Sequence, residues 1–242
     1  MSFIISIFNT FFYQPLFNGL IFLYNILPVH DLGIAIVLFT VVIRLILYPL
    51  NQKAIISQAA LSKLQPQIKE IQEKQKGDKV KQSQALMELY KKNDINPAAG
   101  CLPLLVQLPV LLALYQVFLA GLDPNKLNSL YSFVQKPESI NLMFLGIIDL
   151  SHANYVLAVL AGIFTYFQSK MMTSSQAATS KDGDFSSILN KQMLYFMPLF
   201  TVFISWKLPA GLTLYWVVIT LFGIIQQYLI LKKHGREQLN KN

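Results

Sequence analysis

Five apolar stretches dominate this chain, and each approaches the length a helix needs to cross a lipid bilayer. They run from about Leu32 to Leu50, Cys101 to Leu122, Ala153 to Met172, Met193 to Leu208 and Leu212 to Leu231. A membrane-crossing helix takes about 20 predominantly apolar residues. The fourth stretch is short and implies an upright helix or a locally thinner bilayer. Pro209-Ala210-Gly211 separates the last two without a polar spacer, which predicts a tight turn and a helical hairpin. Only 13% of residues are charged and the mean hydropathy is +0.45, against about 25% charged in an average soluble domain. A disordered chain is excluded on that ground, and a soluble enzyme is disfavoured. The fold class expected is an all-α polytopic membrane protein with five spans, its core covering residues 31–242.

The first 30 residues are a sixth apolar stretch with a different character. Thr10, Gln14, Asn18 and Asn25 fall on one helical face, while Pro15 and Gly19 interrupt the middle. Residues 1–30 therefore read as an amphipathic helix lying in the membrane interface, with a sixth crossing as the alternative. No Lys or Arg precedes Arg44, so the basic start of a secretory signal is missing.

Charge sets the orientation. Sixteen of the 20 Lys and Arg lie on one side of a five-span layout: nine between Asn51 and Gly100, three around Lys170, Lys181 and Lys191, and four in the tail. Lys126, Lys136 and Lys207 lie on the other side, and Arg44 lies within the first span. Basic loops stay in the cytoplasm, which puts the amino terminus outside and the carboxyl terminus inside. The net charge of +8 points to an anionic membrane surface; recognition of nucleic acid is not expected from so apolar a chain.

The first basic loop has a pattern of its own. Residues 53–92 are rich in good helix formers. Leu61, Leu64, Ile68 and Ile71 repeat at helical spacing, as do Val80, Ser83, Met87 and Tyr90, with Gly77-Asp78 between them as a turn. This predicts a cytoplasmic pair of antiparallel helices packed along those two seams, kinked or restarted at Pro66. Thr173 to Lys191 lacks periodicity and reads as a mobile loop.

Arg44 is the residue that does not belong. It sits in Val41-Val42-Ile43-Arg44-Leu45-Ile46-Leu47, and all 12 Asp and Glu lie outside the predicted spans. A charge at membrane depth costs about 2.5–3.5 kcal/mol on insertion scales. Arg44 either snorkels to the nearby helix end or serves a function. The functional reading needs water, and polar side chains that could line a wet cavity include Thr40, Gln107, Gln168, Thr213, Thr220, Gln226 and Gln227. A hydrated guanidinium there would attract carboxylates and lower the barrier for polar peptide entering the membrane.

Other chemistry finds no support. The sequence has no phosphate-binding Gly-Lys-Ser/Thr loop, no His-Glu-x-x-His and no Gly-x-Ser-x-Gly. His30, His152 and His234 are scattered, and a single cysteine, Cys101, excludes an intrachain disulfide or a cysteine zinc site. No catalytic residue, cofactor or metal is expected.

Three stretches together resemble the YidC-type membrane protein insertases. They are VVIRLILYPL at 41–50, NPAAGCLPLLVQLP at 96–109 and LPAGLTLYWVVITLFGIIQQYLI at 208–230. They occur in that order around the basic 53–92 hairpin. The resemblance is to bacterial members without a large extracytoplasmic domain. It implies five spans enclosing a hydrophilic groove open to the cytoplasm and to lipid, and closed to the outside. Arg44 matches the groove arginine; Thr40, Gln107, Tyr215 and Trp216 match groove or substrate-facing positions. Ile219-Thr220 stands where the family often has Ser-Asn, and carries no assigned role. The implied function is transfer of nascent hydrophobic segments into the bilayer without nucleotide hydrolysis. Nascent membrane proteins and lipids are the implied partners, with the ribosome and the Sec translocon as further candidates. The rival readings are a small-solute transporter or channel subunit, and a structural assembly partner.

Overall fold

The structure is a computed structural model that describes residues 2–96, 102–120, 130–173 and 192–239, with side chains over 5–96, 107–116, 130–172 and 194–233. The expected mobile loop beyond Thr173, Cys101 and Lys126 lie outside the described residues. Almost every described element is a helix. In chain order these are α1 (Ser2–Phe8), a π-helical turn (Asn9–Tyr13), α2 (Gln14–Ile26), α3 (Leu32–Ile46), α4 (Tyr48–Lys63), α5 (Gln65–Lys74), α6 (Lys79–Lys92) and α7 (Leu102–Ala120). Two short strands, β1 (Met143–Phe144) and β2 (Ile148–Asp149), precede α8 (Tyr155–Thr173). A second π-helical turn (Gln192–Phe196) leads into α9 (Met197–Ser205), and α10 (Ala210–Leu239) ends the chain.

Among the described residues, two helices are long and apolar enough to cross a membrane, Tyr155–Met172 and Ala210–Lys233. α3 with α4 makes a third if the two are one broken span, and Leu194–Ser205 is a shorter apolar helix. The first apolar stretch was expected to run as one helix from Leu32 to Leu50. It breaks at Leu47 instead, where ψ is 1°. Pro49 explains the break: it has no N–H to donate to Leu45, and its ring crowds that carbonyl. The fifth stretch is longer than expected, because the basic tail continues α10 to Leu239.

The chain forms two compact units. The first comprises Met1–Leu47, Leu104–Thr165 and Pro198–Phe222. Its core gathers Phe17, Leu20, Ile21 and Tyr24 of α2, Ala35, Ile36 and Phe39 of α3, Leu114 of α7, Leu157 and Ala161 of α8, and Leu212 and Tyr215 of α10. The two asparagines and Tyr24 of α2 are occupied by backbone. Buried Asn18 accepts from the Tyr131 N–H at 2.6 Å, and Asn25 donates to the Gln135 carbonyl at 2.7 Å. These bonds fasten the 130–141 segment across α2, and Tyr24 adds two more through its hydroxyl, to Ser139 and Asn141.

The second unit comprises Tyr48–Pro103, Tyr166–Met197 and Gly223–Asn242. α5 starts at Gln65, where Pro66 occupies its first turn, a position that needs no N–H donor. A turn through Gly77, at φ 108°, leads to Asp78, whose carboxylate caps α6 by accepting from the Lys81 N–H at 3.0 Å. α5 and α6 pack together, and Gln82 donates to the Gln72 carbonyl between them. Leu64, which caps α5, and Ile68 within it are buried, and Leu61 and Ile71 are half-buried. On α6 the strip differs from the expected one. Val80 and Met87 are exposed, at 67% and 51%, and the half-buried face is centred on Gln82, Ala85, Leu86 and Leu89, with Tyr90 of the expected strip half-buried at its edge. That face carries the two leucines and lies about 100° from the expected strip, a one-residue shift around the helix.

Candidate functional site

The site belongs to the first unit and is built on α3, α7 and α10. α3 is an apolar helix started by Asp31, whose Oδ1 accepts from the Ile34 N–H at 3.0 Å. Such a cap satisfies one of the free N–H groups of the first turn. About two and a half turns on, Thr40 is fully buried and donates its hydroxyl to the Ile36 carbonyl of its own helix at 2.6 Å. Arg44 follows one turn later.

The guanidinium of Arg44 is half-buried. Its Nη2 donates to the main-chain carbonyl of Ile219 on α10 at 2.9 Å. Its Nε is buried with no hydrogen-bond partner among the described residues. Tyr215, one turn before Ile219, is fully buried and near enough to Arg44 to interact electrostatically. Its hydroxyl accepts a hydrogen bond from Gln107 Nε2 of α7. Gln107 lies two residues before Pro109, which α7 incorporates. Thr220 donates to the Trp216 and Val217 carbonyls at 2.7 and 3.0 Å, a back-bond that bends helices slightly.

Of the five residues singled out from sequence, the structure brings Arg44, Gln107 and Tyr215 together. Trp216 is half-buried, and one residue along a helix turns it about 100° from Tyr215. Thr40 shares a face with Arg44, yet it is only 1% exposed and its donor is satisfied locally. Among the other polar residues considered, Thr213 is buried against the carbonyls of Ser205 and Pro209. In the second unit, Gln226 donates to the Tyr48 carbonyl.

Two partners were not legible. One is the Ile219 carbonyl, since a main-chain acceptor leaves no trace in residue type. The other is Asp31, which also accepts from the Leu145 N–H through Oδ2 at 2.7 Å. An acid immediately before an apolar run is a recognisable helix-start signal; its second bond to a distant turn is not. Among the described residues, no three His, Cys, Asp or Glu side chains gather as a metal site would require.

An apolar helical fold with a basic side chain inside its first long apolar helix defines a helical membrane protein. Comparison places it further: the chain belongs to the 60Kd inner membrane protein family, whose model matches residues 22–237. It is 35% identical to the membrane protein insertase YidC of Fusobacterium nucleatum over 226 residues, 93% of this chain and 98% of that protein. Identity to the YidC insertase of Oceanobacillus iheyensis is 36% over 235 residues, 94% of this chain and 84% of that one. The YidC of Wolinella succinogenes is 35% identical, and the match spans 93% of this chain but 38% of that longer protein. Among solved structures, an active YidC insertase with its first transmembrane domain resolved superimposes with a TM-score of 0.57 at 31% identity. That match covers 89% of this chain and 46% of the other.

Proposed function

We propose that this protein is a membrane protein insertase of the plasma membrane, in which Arg44 receives the polar part of a nascent segment while its hydrophobic part passes into lipid. The single observation that carries this reading is the state of Arg44. Its charge sits in an apolar helix, one nitrogen bonds a neutral carbonyl, and another is buried without a partner among the described residues. A guanidinium left with donor capacity favours an arriving carboxylate or peptide carbonyl. The names of the relatives support the same function.

In this reading five spans enclose a groove open to the cytoplasm and to lipid, lined by Arg44, Gln107, Tyr215 and Trp216 with Thr40 behind them. Residues 1–30 lie in the interface, residues 31–242 form the core, and α5 and α6 face the cytoplasm. The amino terminus is outside and the carboxyl terminus inside. A nascent chain enters from the cytoplasm, and its polar outer part is held transiently by Arg44. Burial of apolar area in lipid drives the step at roughly 25 cal/mol per Å². No bond is made or broken and no nucleotide is consumed. The ribosome and the Sec translocon are candidate partners for delivery.

The test is insertion of a small single-span protein with an acidic outer segment into vesicles containing only this protein. Loss of insertion in Arg44→Ala supports the reading. Wild-type insertion by that variant removes the arginine from the mechanism, and ion or solute flux through the vesicles would favour a transporter instead.

A further inference from the structure

We infer that the Leu145–Ile147 turn is a membrane anchor that seats two aliphatic side chains in the headgroup and upper acyl region of the bilayer. Strands β1 and β2 pair antiparallel, Phe144 with Ile148 and Met143 with Asp149. The turn closes with the Ile147 N–H donating to the Phe144 carbonyl at 3.0 Å. Its apex breaks the usual turn chemistry. Leu145 adopts φ 52° and Gly146 φ 70°, a conformation that favours Gly, Asn or Asp over a branched aliphatic residue. Leu145 is nonetheless there, 60% exposed, and Ile147 is 80% exposed. A strained apex presenting its largest apolar groups outward is unfavourable in water.

The turn is also held level with the ends of the helices. At one end the buried carboxylate of Asp31 caps α3 and accepts from the Leu145 N–H at 2.7 Å. At the other end the Leu150 carbonyl accepts from the Gly211 N–H at 3.0 Å, in the first turn of α10. The ring of Phe144 occupies the space a Cβ on Gly33 would need. Each strand is two residues long, about 7 Å of chain, so the hairpin lies across the helix starts and cannot project far. Polar zones flank the hydrocarbon by about 5–8 Å on each side, the depth at which such a turn would sit.

The same end of this unit carries a Tyr155–Trp206 ring pair with centroids 4.8 Å apart, both half-exposed or more. Tyr155 opens one of the candidate spans. Trp and Tyr collect at the level where hydrocarbon meets headgroups, so this pair marks the boundary. The occupant is therefore lipid, continuous with the apolar surface that Val156, Val159, Leu199 and Phe203 expose. Only membrane residence is needed for this, and not the insertase activity.

The experiment uses the full chain with Cys101→Ser, carrying Ile147→Cys labelled with an environment-sensitive fluorophore and reconstituted into phosphatidylethanolamine–phosphatidylglycerol vesicles. Lys76→Cys at the exposed α5–α6 turn is the aqueous control. Blue-shifted emission, strong quenching by lipids with a nitroxide near the headgroup, and weak quenching by iodide are expected at position 147. Emission like that of the Lys76 control overturns the proposal. So does protection from both quenchers, which would mean that protein covers the turn. Insertion measured in the same vesicles reads separately: normal insertion with a water-exposed turn sinks this inference alone.

Discussion

Arg44 and Ile219 are joined by a hydrogen bond from a guanidinium to a main-chain carbonyl, 2.9 Å long, between α3 and α10. The bond is independent of the Ile219 side chain. It fixes one edge of the guanidinium and leaves Nε buried without a partner among the described residues. Arg44→Lys keeps the charge but has one nitrogen where arginine has three, so it cannot hold Ile219 and a substrate carboxylate in the same fork geometry. Insertion of a substrate with an acidic outer segment should fall in the order wild type, Arg44→Lys, Arg44→Ala. The full loss should correspond to about 1.5–3 kcal/mol, the worth of a hydrogen bond to a charged group. Equal insertion by all three on that substrate, measured as protease-protected product, would exclude a role for the charge.

Tyr215 and Gln107 should behave as one unit. Tyr215→Phe removes the acceptor and leaves the Gln107 amide short of a partner in a largely buried setting, at about 1–3 kcal/mol. Gln107→Leu costs a similar amount for the converse reason. The double variant should cost less than the two singles added together, because partners in contact are not additive. Thermal unfolding in detergent of the four proteins completes the cycle, and strict additivity would show that the bond contributes nothing.

Asp31 does two jobs with two oxygens. Asp31→Ala removes the cap of α3 and the acceptor for the Leu145 N–H at once. Loss of a cap alone costs about 0.5–2 kcal/mol. Asp31→Asn keeps one acceptor oxygen, so its melting temperature should fall between those of wild type and Asp31→Ala. A wild-type melting temperature for Asp31→Ala would show that water replaces both bonds.

The long helices and the anomaly of Arg44 were readable because each rests on a strong local signal: runs of apolar residues, and one charge within them. The break at Leu47 follows from Pro49, but an apolar run extending past the proline masks it. On α6 two apolar strips one residue apart compete, Val80 with Met87 and Leu86 with Leu89. Sequence spacing cannot say which one meets α5, because that depends on how the turn at Gly77 directs the helix. Met143 to Asp149 is too short to show strand alternation. The Arg44–Ile219 contact joins residues 175 apart through a main-chain atom, so no side-chain pattern encodes it.

Asp149 supplies the pH prediction. The Ser151 hydroxyl and N–H donate to its Oδ1, and His152 Nδ1 lies 2.9 Å from Oδ2. These donors pull the carboxyl from 3.8 down to about 2, Ser151 contributing most. Because the folded value is the lower one, its stabilising contribution is complete above pH 3.8 and disappears as pH falls through about 2. The group is largely exposed, so the effect is small. Asp149→Asn should lower the melting temperature of the detergent-solubilised protein slightly at neutral pH, and the two proteins should converge as pH falls through about 2, where wild type has lost the same contribution. An identical acid profile in wild type and variant would contradict the assignment.

Gly162 sets how closely α8 approaches α9. A Cβ there would meet Val202 Cγ2 at 2.2 Å and the Pro198 carbonyl oxygen at 3.1 Å. The first distance is an overlap, and a β-branched valine has few rotamers with which to withdraw. The second contact is backbone and cannot move without displacing the start of α9. Small residues at helix crossings let backbones come together where lipid offers no hydrophobic force between helices. Gly162→Ala should therefore destabilise by about 1–3 kcal/mol through overpacking, read as a lower melting temperature in detergent. Val202→Ala in the same chain removes the larger of the two clashes and should restore most of the loss, leaving only the strain against Pro198. Failure of Val202→Ala to rescue would place the whole cost on the main chain. A neutral Gly162→Ala would mean that the two helices separate freely, and that their close approach contributes nothing to stability.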